Sequence, residues 1–488
     1  MKVSRAMATQ HPDNVSNPFF CDAAEMGGED EIKEAFYSFS HVKCREQLWD
    51  CEGKEVDNFV VKKLLGKYGP FFGKNRLGKD VFLTLRVPNP SVEKSESKIL
   101  LETLEGIPRN FDTAALFYGD ADFSPIFEVA LPMTTSGREL VRIAEYYRQH
   151  VVGKGASSVG GVRIGEWIGE FRPESIGVIP LVEDRDSILS CDSIVGEYLG
   201  SEKPSDYQRV WLARSDPALN YGNLATVLML KVAFQRLAAL QESSSVEILP
   251  ILGCGSSPFR GNFRPDNVEN CVNGYPSVQT FTLQSAFRYD HDIGVVNSAV
   301  DALNGTKRKP PVAVDEARCI EIVERLSAEY QRQVRLIAPL VNDFAQYVPS
   351  KRRRKLHIGL FGYSRSMGGV RLPRAIGFCA SMYSLGLPPE LLGLSAASEH
   401  DLEYVRSIYL NFDRDIADAL QYLNPGNLDA FPDEIRHAVE KVAKVTECEA
   451  SKSHMKVTGI ILDDYRKGNY RVLSENIMRA GFIRKFLG

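Results

Sequence analysis

The sequence points to an α/β fold of the (β/α)8 TIM-barrel type with additional C-terminal helices. Eight short runs are apolar almost throughout rather than alternating, as parallel strands covered on both faces are. Stretches with helical periodicity separate them, which implies strand–helix–strand units and a parallel sheet. Charged or small polar residues follow several of the runs, as they do at the C-terminal rim of a barrel. An open doubly wound sheet is the structural alternative.

The runs are 46–50 (EQLWD), 81–87 (VFLTLRV), 127–133 (FEVALPM), 176–183 (IGVIPLVE), 209–215 (RVWLARS), 247–253 (EILPILG), 278–285 (VQTFTLQS) and 355–364 (KLHIGLFGYS). Between the fifth and sixth, Leu224, Val227, Leu228 and Ala238 suit a helix over 223–240 with one buried side. Before the eighth, Val323, Leu326, Tyr330, Val334 and Ile337 recur at three- and four-residue steps, so an amphipathic helix is expected that bends or ends near Pro339. From Arg374 onward the strand signal fades and helical stretches alternate with turns such as LGLPPE and LNPGN. Residues 1–373 read as a catalytic barrel with an N-terminal catalytic segment, and 374–488 as a helical extension packed on it within the same unit.

Composition narrows the function classes. A net charge of -4 gives no global attraction for nucleic acid or acidic membranes. The nine cysteines are scattered without CxxC spacing, which suits reduced thiols in a reducing compartment. The stretch MKVSRAMATQHPDN is polar and lacks the apolar core of a signal peptide. No apolar run reaches the roughly 18 residues of a spanning helix, so a cytoplasmic protein is expected.

Catalytic groups of such barrels gather where strands end. Glu183 follows IPLV and Asp216 follows WLARS. Two carboxylates at neighbouring strand ends suit one hard cation such as Mg²⁺ or Mn²⁺; equally, each suits the N-terminus of the next helix. Arginines stand at other ends: Arg86 closes FLTLR, Arg260 sits in the glycine-rich GCGSSPFRGNF, Arg365 in GYSRSMGG and Arg374 in LPRAIGF. A guanidinium fork grips phosphate or carboxylate in bidentate fashion, and several on one rim favour an anionic substrate. His11, in ATQHPDN, reads either as part of a turn or as a proton carrier at neutral pH. The run 351–355 (KRRRK) invites a nucleic-acid reading, but it lacks interleaved aromatics, and a solvated loop at the barrel bottom suits it better.

The motifs TQHPDN, VIPLVED, ARSDPALNYGN, GCGSSPFRGNF and GYSRSMGG with LPRAIGF stand in the order found in compact, archaeal-type phosphoenolpyruvate carboxylases, and the chain resembles that family over its whole length. The resemblance implies phosphoenolpyruvate and bicarbonate as substrates, oxaloacetate and phosphate as products, a homotetramer, and Mg²⁺ or Mn²⁺ as cofactor. It implies no nucleic-acid or membrane partner. Set against the larger bacterial and plant enzymes, TQHPD is similar to their catalytic TAHPT-like motif, which gives His11 that role. PLVE and RSDP resemble the motifs of their metal ligands and imply Glu183 and Asp216. FRGN, SRS and PRAIG imply catalytic and substrate-binding roles for Arg260, Arg365 and Arg374, and LTLRVP a looser substrate-binding role for Arg86. The pattern departs at Cys254, where the larger enzymes carry an arginine. Two rivals remain: another barrel lyase acting on phosphoenolpyruvate or pyruvate, told apart by bicarbonate-dependent phosphate release, and a non-catalytic protein built around KRRRK, told apart by salt-sensitive nucleic-acid binding.

Overall fold

A computed structural model describes residues 3–52, 57–202, 206–353, 366–367 and 369–488. The barrel strands are β1 (Ala6–Ala8), β2 (Glu46–Asp50), β3 (Phe82–Arg86), β4 (Glu128–Leu131), β5 (Gly177–Val182), β6 (Tyr207–Ala213), β7 (Glu247–Gly253) and β8 (Thr280–Leu283). They close in the order β1-β8-β7-β6-β5-β4-β3-β2, every neighbour parallel. The expected fold class is therefore the observed one.

Seven of the expected runs overlap strands β2 to β8. The eighth, 355–364, lies outside the described residues, and the barrel closes without it. Closure falls to Ala6–Ala8, which pairs with Phe281–Leu283 on one side and Glu46–Gln47 on the other. Three residues are too few for any period to reveal a strand; only the barrel's need for an eighth member marks it.

Met7, Leu48, Ala130, Ile179, Leu181, Trp211, Ala213 and Ile251 fill the barrel as a separate apolar core. Toward the strands' N-terminal ends a polar layer replaces it. Arg209, 2% exposed, donates to Glu46 at 2.7 and 2.9 Å and to Glu128 at 3.1 Å, while Thr84 donates to Glu46 at 2.6 Å. A charge so deep is tolerable only because carboxylates and hydrogen bonds surround it. This plug closes the bottom and leaves the opposite mouth open.

Two helices extend what the sequence suggested. Asn223–Ser244 is buried at every position from Asn223 to Phe234, not on one side, because Glu316–Ala345 covers the face turned away from the barrel. It is long and apolar enough to cross a membrane by composition, yet 72% of its most apolar window is buried inside the protein. Its apolarity belongs to the core. Glu316–Ala345 does not end at Pro339 but continues to Ala345, with Val341 and Phe344 buried beyond the proline. Packing of that last segment outweighs the hydrogen bond a proline forfeits. Of the later helices, Ala375–Ser384 packs against both Glu316–Ala345 and Leu473–Arg484.

Candidate active site

A cavity of about 680 Å³ opens at the C-terminal ends of the strands. His11, Arg86, Glu183, Asp216, Arg260 and Arg374 all line it, together with Glu52, Arg214, Gln284, Lys351 and Arg352. Six of the seven residues singled out from the sequence thus share one chamber. The seventh, Arg365, lies outside the described residues.

Glu183 directly follows β5 and is 5% exposed. The cap of the next helix, Arg185–Leu189, is supplied by Asp184, which accepts from the Ser187 amide at 3.0 Å. Glu183 is therefore not the capping residue, and the helix-cap alternative for it falls away. Asp216 stands in the first turn of Ser215–Tyr221, so its place at a helix N-terminus and its place on the cavity wall coexist. Pairing of Val182 with Leu212 makes β5 and β6 neighbours and brings the two acids to adjacent strand ends.

Arg260 is carried by the loop after β7. Gly255 lets the guanidinium lie against the backbone, for a Cβ there would meet its Cζ at 2.9 Å. Gly261, at φ +121°, takes a backbone angle that disfavours side chains, and a Cβ would meet that of Cys254 at 2.8 Å. Arg260 is 2% exposed and donates to the Ser215 hydroxyl at 3.0 Å, the Gly488 carbonyl at 2.8 Å, the Asp13 carboxylate at 3.3 Å and the Gln284 amide oxygen. Asp13 is fully buried and also accepts from the amides of Ser256 at 3.2 Å and Ala286 at 2.7 Å. Burial pushes its carboxyl above the usual range, against the opposing pull of Arg260.

His11 is half-buried, and its Nδ1 lies 2.9 Å from the Thr9 hydroxyl. Asp13 donates its amide to the His11 carbonyl at 3.1 Å, so one short segment holds both the imidazole and the acid behind Arg260. Arg86, 8% exposed, is gripped by Asp50 through two hydrogen bonds of 2.9 and 2.6 Å, with Glu52 at 3.5 Å. Arg374 is exposed at the N-terminal end of Ala375–Ser384. Nearby, burial and the carboxylates of Glu52 and Glu96 push the Glu93 carboxyl up to about 7, with Arg374 opposing.

Among the described residues, no three Asp, Glu, His or Cys side chains converge as a ready-made metal cage. The donor set of Glu183 and Asp216 fits a different kind of site. Mg²⁺ is commonly held by one or two carboxylates, and substrate and water complete its octahedron.

A family model described as phosphoenolpyruvate carboxylase matches residues 3–488. The chain belongs to the phosphoenolpyruvate carboxylase family. It is 50% identical over 490 residues to the phosphoenolpyruvate carboxylase of Methanospirillum hungatei and 52% identical over 489 residues to that of Methanothermobacter thermautotrophicus, in each case across 100% of both chains. With that of Pyrococcus abyssi it shares 52% identity over 422 residues, 86% of this chain and 89% of the other. The chain is accordingly an enzyme of the carboxy-lyase type.

At the position where the family's larger members carry an arginine, Cys254 turns inward. It is 1% exposed, its sulfur faces the carbonyls of Leu252 and Thr282 at 3.6 and 3.7 Å, and burial pushes its thiol up to about 12. It brings no charge to the cavity. Lys351 and Arg352 belong to the cavity wall rather than to a solvated loop at the barrel bottom. Arg352 is 3% exposed and donates to Glu31 at 2.8 Å and to Glu34 at 2.9 and 3.0 Å. Those two carboxylates supply the partners that a buried guanidinium requires.

The strand-end rule that picked out Glu183 also applies to Asp50 and Gln284, which close or follow β2 and β8. Asp13 gives no such signal: its side-chain partners lie more than 240 residues away.

Proposed function

We propose that the chain adds bicarbonate to phosphoenolpyruvate, giving oxaloacetate and phosphate. The observation that carries this reading is the arrival of His11, Arg86, Glu183, Asp216 and Arg260, from the ends of separate barrel strands and the loops after them, at one cavity that Arg374 reaches from the start of helix Ala375–Ser384. The shared identity with phosphoenolpyruvate carboxylases across the full chain supports it.

Glu183 and Asp216 would hold the divalent ion, Mg²⁺ or Mn²⁺, which supplies positive charge against the substrate's carboxylate and the enolate oxygen. Arg260, Arg365 and Arg374 hold the phosphoryl oxygens, with Arg86 in a looser substrate-binding role. A bicarbonate oxygen attacks phosphorus, the bond from phosphorus to the enol oxygen breaks, and carboxyphosphate and the enolate of pyruvate form. The contact of Nδ1 with the Thr9 hydroxyl holds the imidazole in place, and the neutral ring acts as the base. His11 takes the carboxyphosphate proton as that species splits into CO₂ and phosphate, and the enolate carbon then attacks CO₂. Water must be kept out, since a protonated enolate ends as pyruvate; the loops bearing His11 and Arg260, which line the cavity, are the candidates for that closure.

As the family resemblance implies, the protein acts as a homotetramer that replenishes four-carbon acids in the cytoplasm. Nine free cysteines suit a reducing compartment. Residues 1–373 form the barrel with its N-terminal segment, and 374–488 a helical extension packed on it that supplies Arg374 to the cavity. The deciding experiment measures phosphate release and oxaloacetate, the latter through malate dehydrogenase, with and without bicarbonate. Phosphate release that ignores bicarbonate sinks the proposal and favours another lyase.

A further inference from the structure

Residues 156–170 (ASSVGGVRIGEWIGE) leave the body of the protein as an arm. Ser158–Val159 and Val162–Arg163 pair antiparallel across Gly160 and Gly161, whose φ of 60° and 83° suit a two-residue hairpin turn. The short helix Ile164–Ile168 follows. Every residue of the arm except Ile164 and Gly165 is exposed. Its large apolar side chains are laid open to water: Val159 is 59% exposed, Val162 50%, Trp167 69% and Ile168 58%. The base is fixed, since the Tyr147 hydroxyl donates to the Pro173 carbonyl at 2.9 Å. A fixed arm with so much uncovered apolar surface marks a contact with another protein.

The same chain carries a receptor of matching chemistry. A groove of about 330 Å³ between helices Ser97–Tyr118 and Gly137–Tyr146 is lined by Leu100, Leu101, Leu104, Leu131, Ile143 and Tyr146. Arg142 stands on its rim, exposed and without an ion pair among the described residues. On the arm Glu166 flanks Trp167, its carboxylate 66% exposed and paired only loosely with Arg163 at 4.0 Å.

We propose that the arm of one copy docks in this groove of a second copy, reciprocally about a two-fold axis. Trp167 and Val162 then cover the leucines, and Glu166 meets Arg142. A second copy is the occupant because both halves of the contact, apolar and charged, are present on every chain, and a two-fold pair buries both at once.

The test is sedimentation of the full chain over a dilution series, with acrylamide quenching of tryptophan fluorescence read in parallel. Trp49 and Trp211 are 1% and 3% exposed, so the difference between wild type and Trp167→Phe reports position 167. Assembly with Trp167 shielded is expected. Trp167→Ala should loosen it by roughly 30-fold or more, as loss of an anchor aromatic does. Glu166→Arg and Arg142→Glu should each loosen it, and the double variant should recover. All are surface changes, so unfolding of the dilute protein should stay unchanged. A chain that remains monomeric, or an assembly in which Trp167 is quenched as freely as in the monomer, overturns the proposal. Failure of the double variant to recover also overturns the match of arm to groove.

Discussion

Replacing Asp13 by asparagine removes a charge and turns one acceptor oxygen into a donor where three N–H groups converge. With the amide oxygen toward Ala286, the new NH₂ faces the Ser256 amide and Arg260; turned over, it faces the Ala286 amide, now 2.7 Å from a carboxylate oxygen. Neither orientation satisfies all three donors. Either way Arg260 loses its buried counter-charge; turned over, it still meets an oxygen acceptor and the forfeited short bond costs roughly 2 kcal/mol, whereas the first orientation sets an N–H against the guanidinium and costs about 3–5 kcal/mol. Arg260 keeps Ser215, Gln284 and Gly488, so the loop need not collapse. Part of the loss should appear as a lower unfolding midpoint. The rest should appear as an approximately tenfold to hundredfold fall in kcat/KM for oxaloacetate formation. Because Asp13 also fixes the segment bearing His11, the share of pyruvate among the products should rise. The assay follows oxaloacetate and pyruvate separately alongside urea unfolding. An Asn variant that matches wild type in rate, product ratio and midpoint refutes the reasoning.

Other outcomes follow from the same site and its surroundings. His11→Asn should still consume phosphoenolpyruvate with bicarbonate while losing most oxaloacetate; full carboxylation by that variant would remove His11 from proton transfer. Asp216→Ala should raise the Mg²⁺ or Mn²⁺ concentration needed for activity, and an unchanged metal titration would take Asp216 off the ion. Glu390→Gln tests a buried acid behind the Arg260 loop. Glu390 is 2% exposed, accepts from the Tyr383 hydroxyl, and burial pushes its carboxyl up to about 7 from 4.5. A raised carboxyl makes the folded state hold the proton longer, so this group's contribution is most favourable below the unfolded value and is lost as pH rises through about 7. The variant should therefore gain on wild type between pH 5 and pH 8, by at most about 3 kcal/mol. Parallel unfolding midpoints across that range would contradict it.

The barrel was legible because strands buried on both faces are apolar throughout, and because residues at their ends escape that demand. Glu183, Asp216 and Arg260 stand out against such runs for this reason. What supports them was not legible. Asp184 and Glu183 are adjacent acids, and only geometry shows that one caps a helix while the other faces the cavity. Lys351 and Arg352 look like a solvated run until Glu31 and Glu34, more than 300 residues earlier, appear beside Arg352. Asp13 has no neighbour in sequence that hints at Arg260. Patterns along the chain report burial and period, whereas partnership depends on which distant loops the closed barrel brings together.

Closure by Ala6–Ala8 has a consequence for biosynthesis. Ala6 pairs with Phe281, so more than half the chain must leave the ribosome before the first strand can find its last neighbour. Until then β8's place is vacant, and the edge of β1 stays open to wrong pairing. The loop to be closed is long, which predicts slow final assembly and a need for protection during synthesis. His11 lies three residues beyond that strand, and its carbonyl accepts from the Ser285 amide across the same seam at 3.2 Å. A nascent or partly folded chain should consequently show no partial carboxylase activity, because the seam that waits for Phe281 is also the one that carries His11.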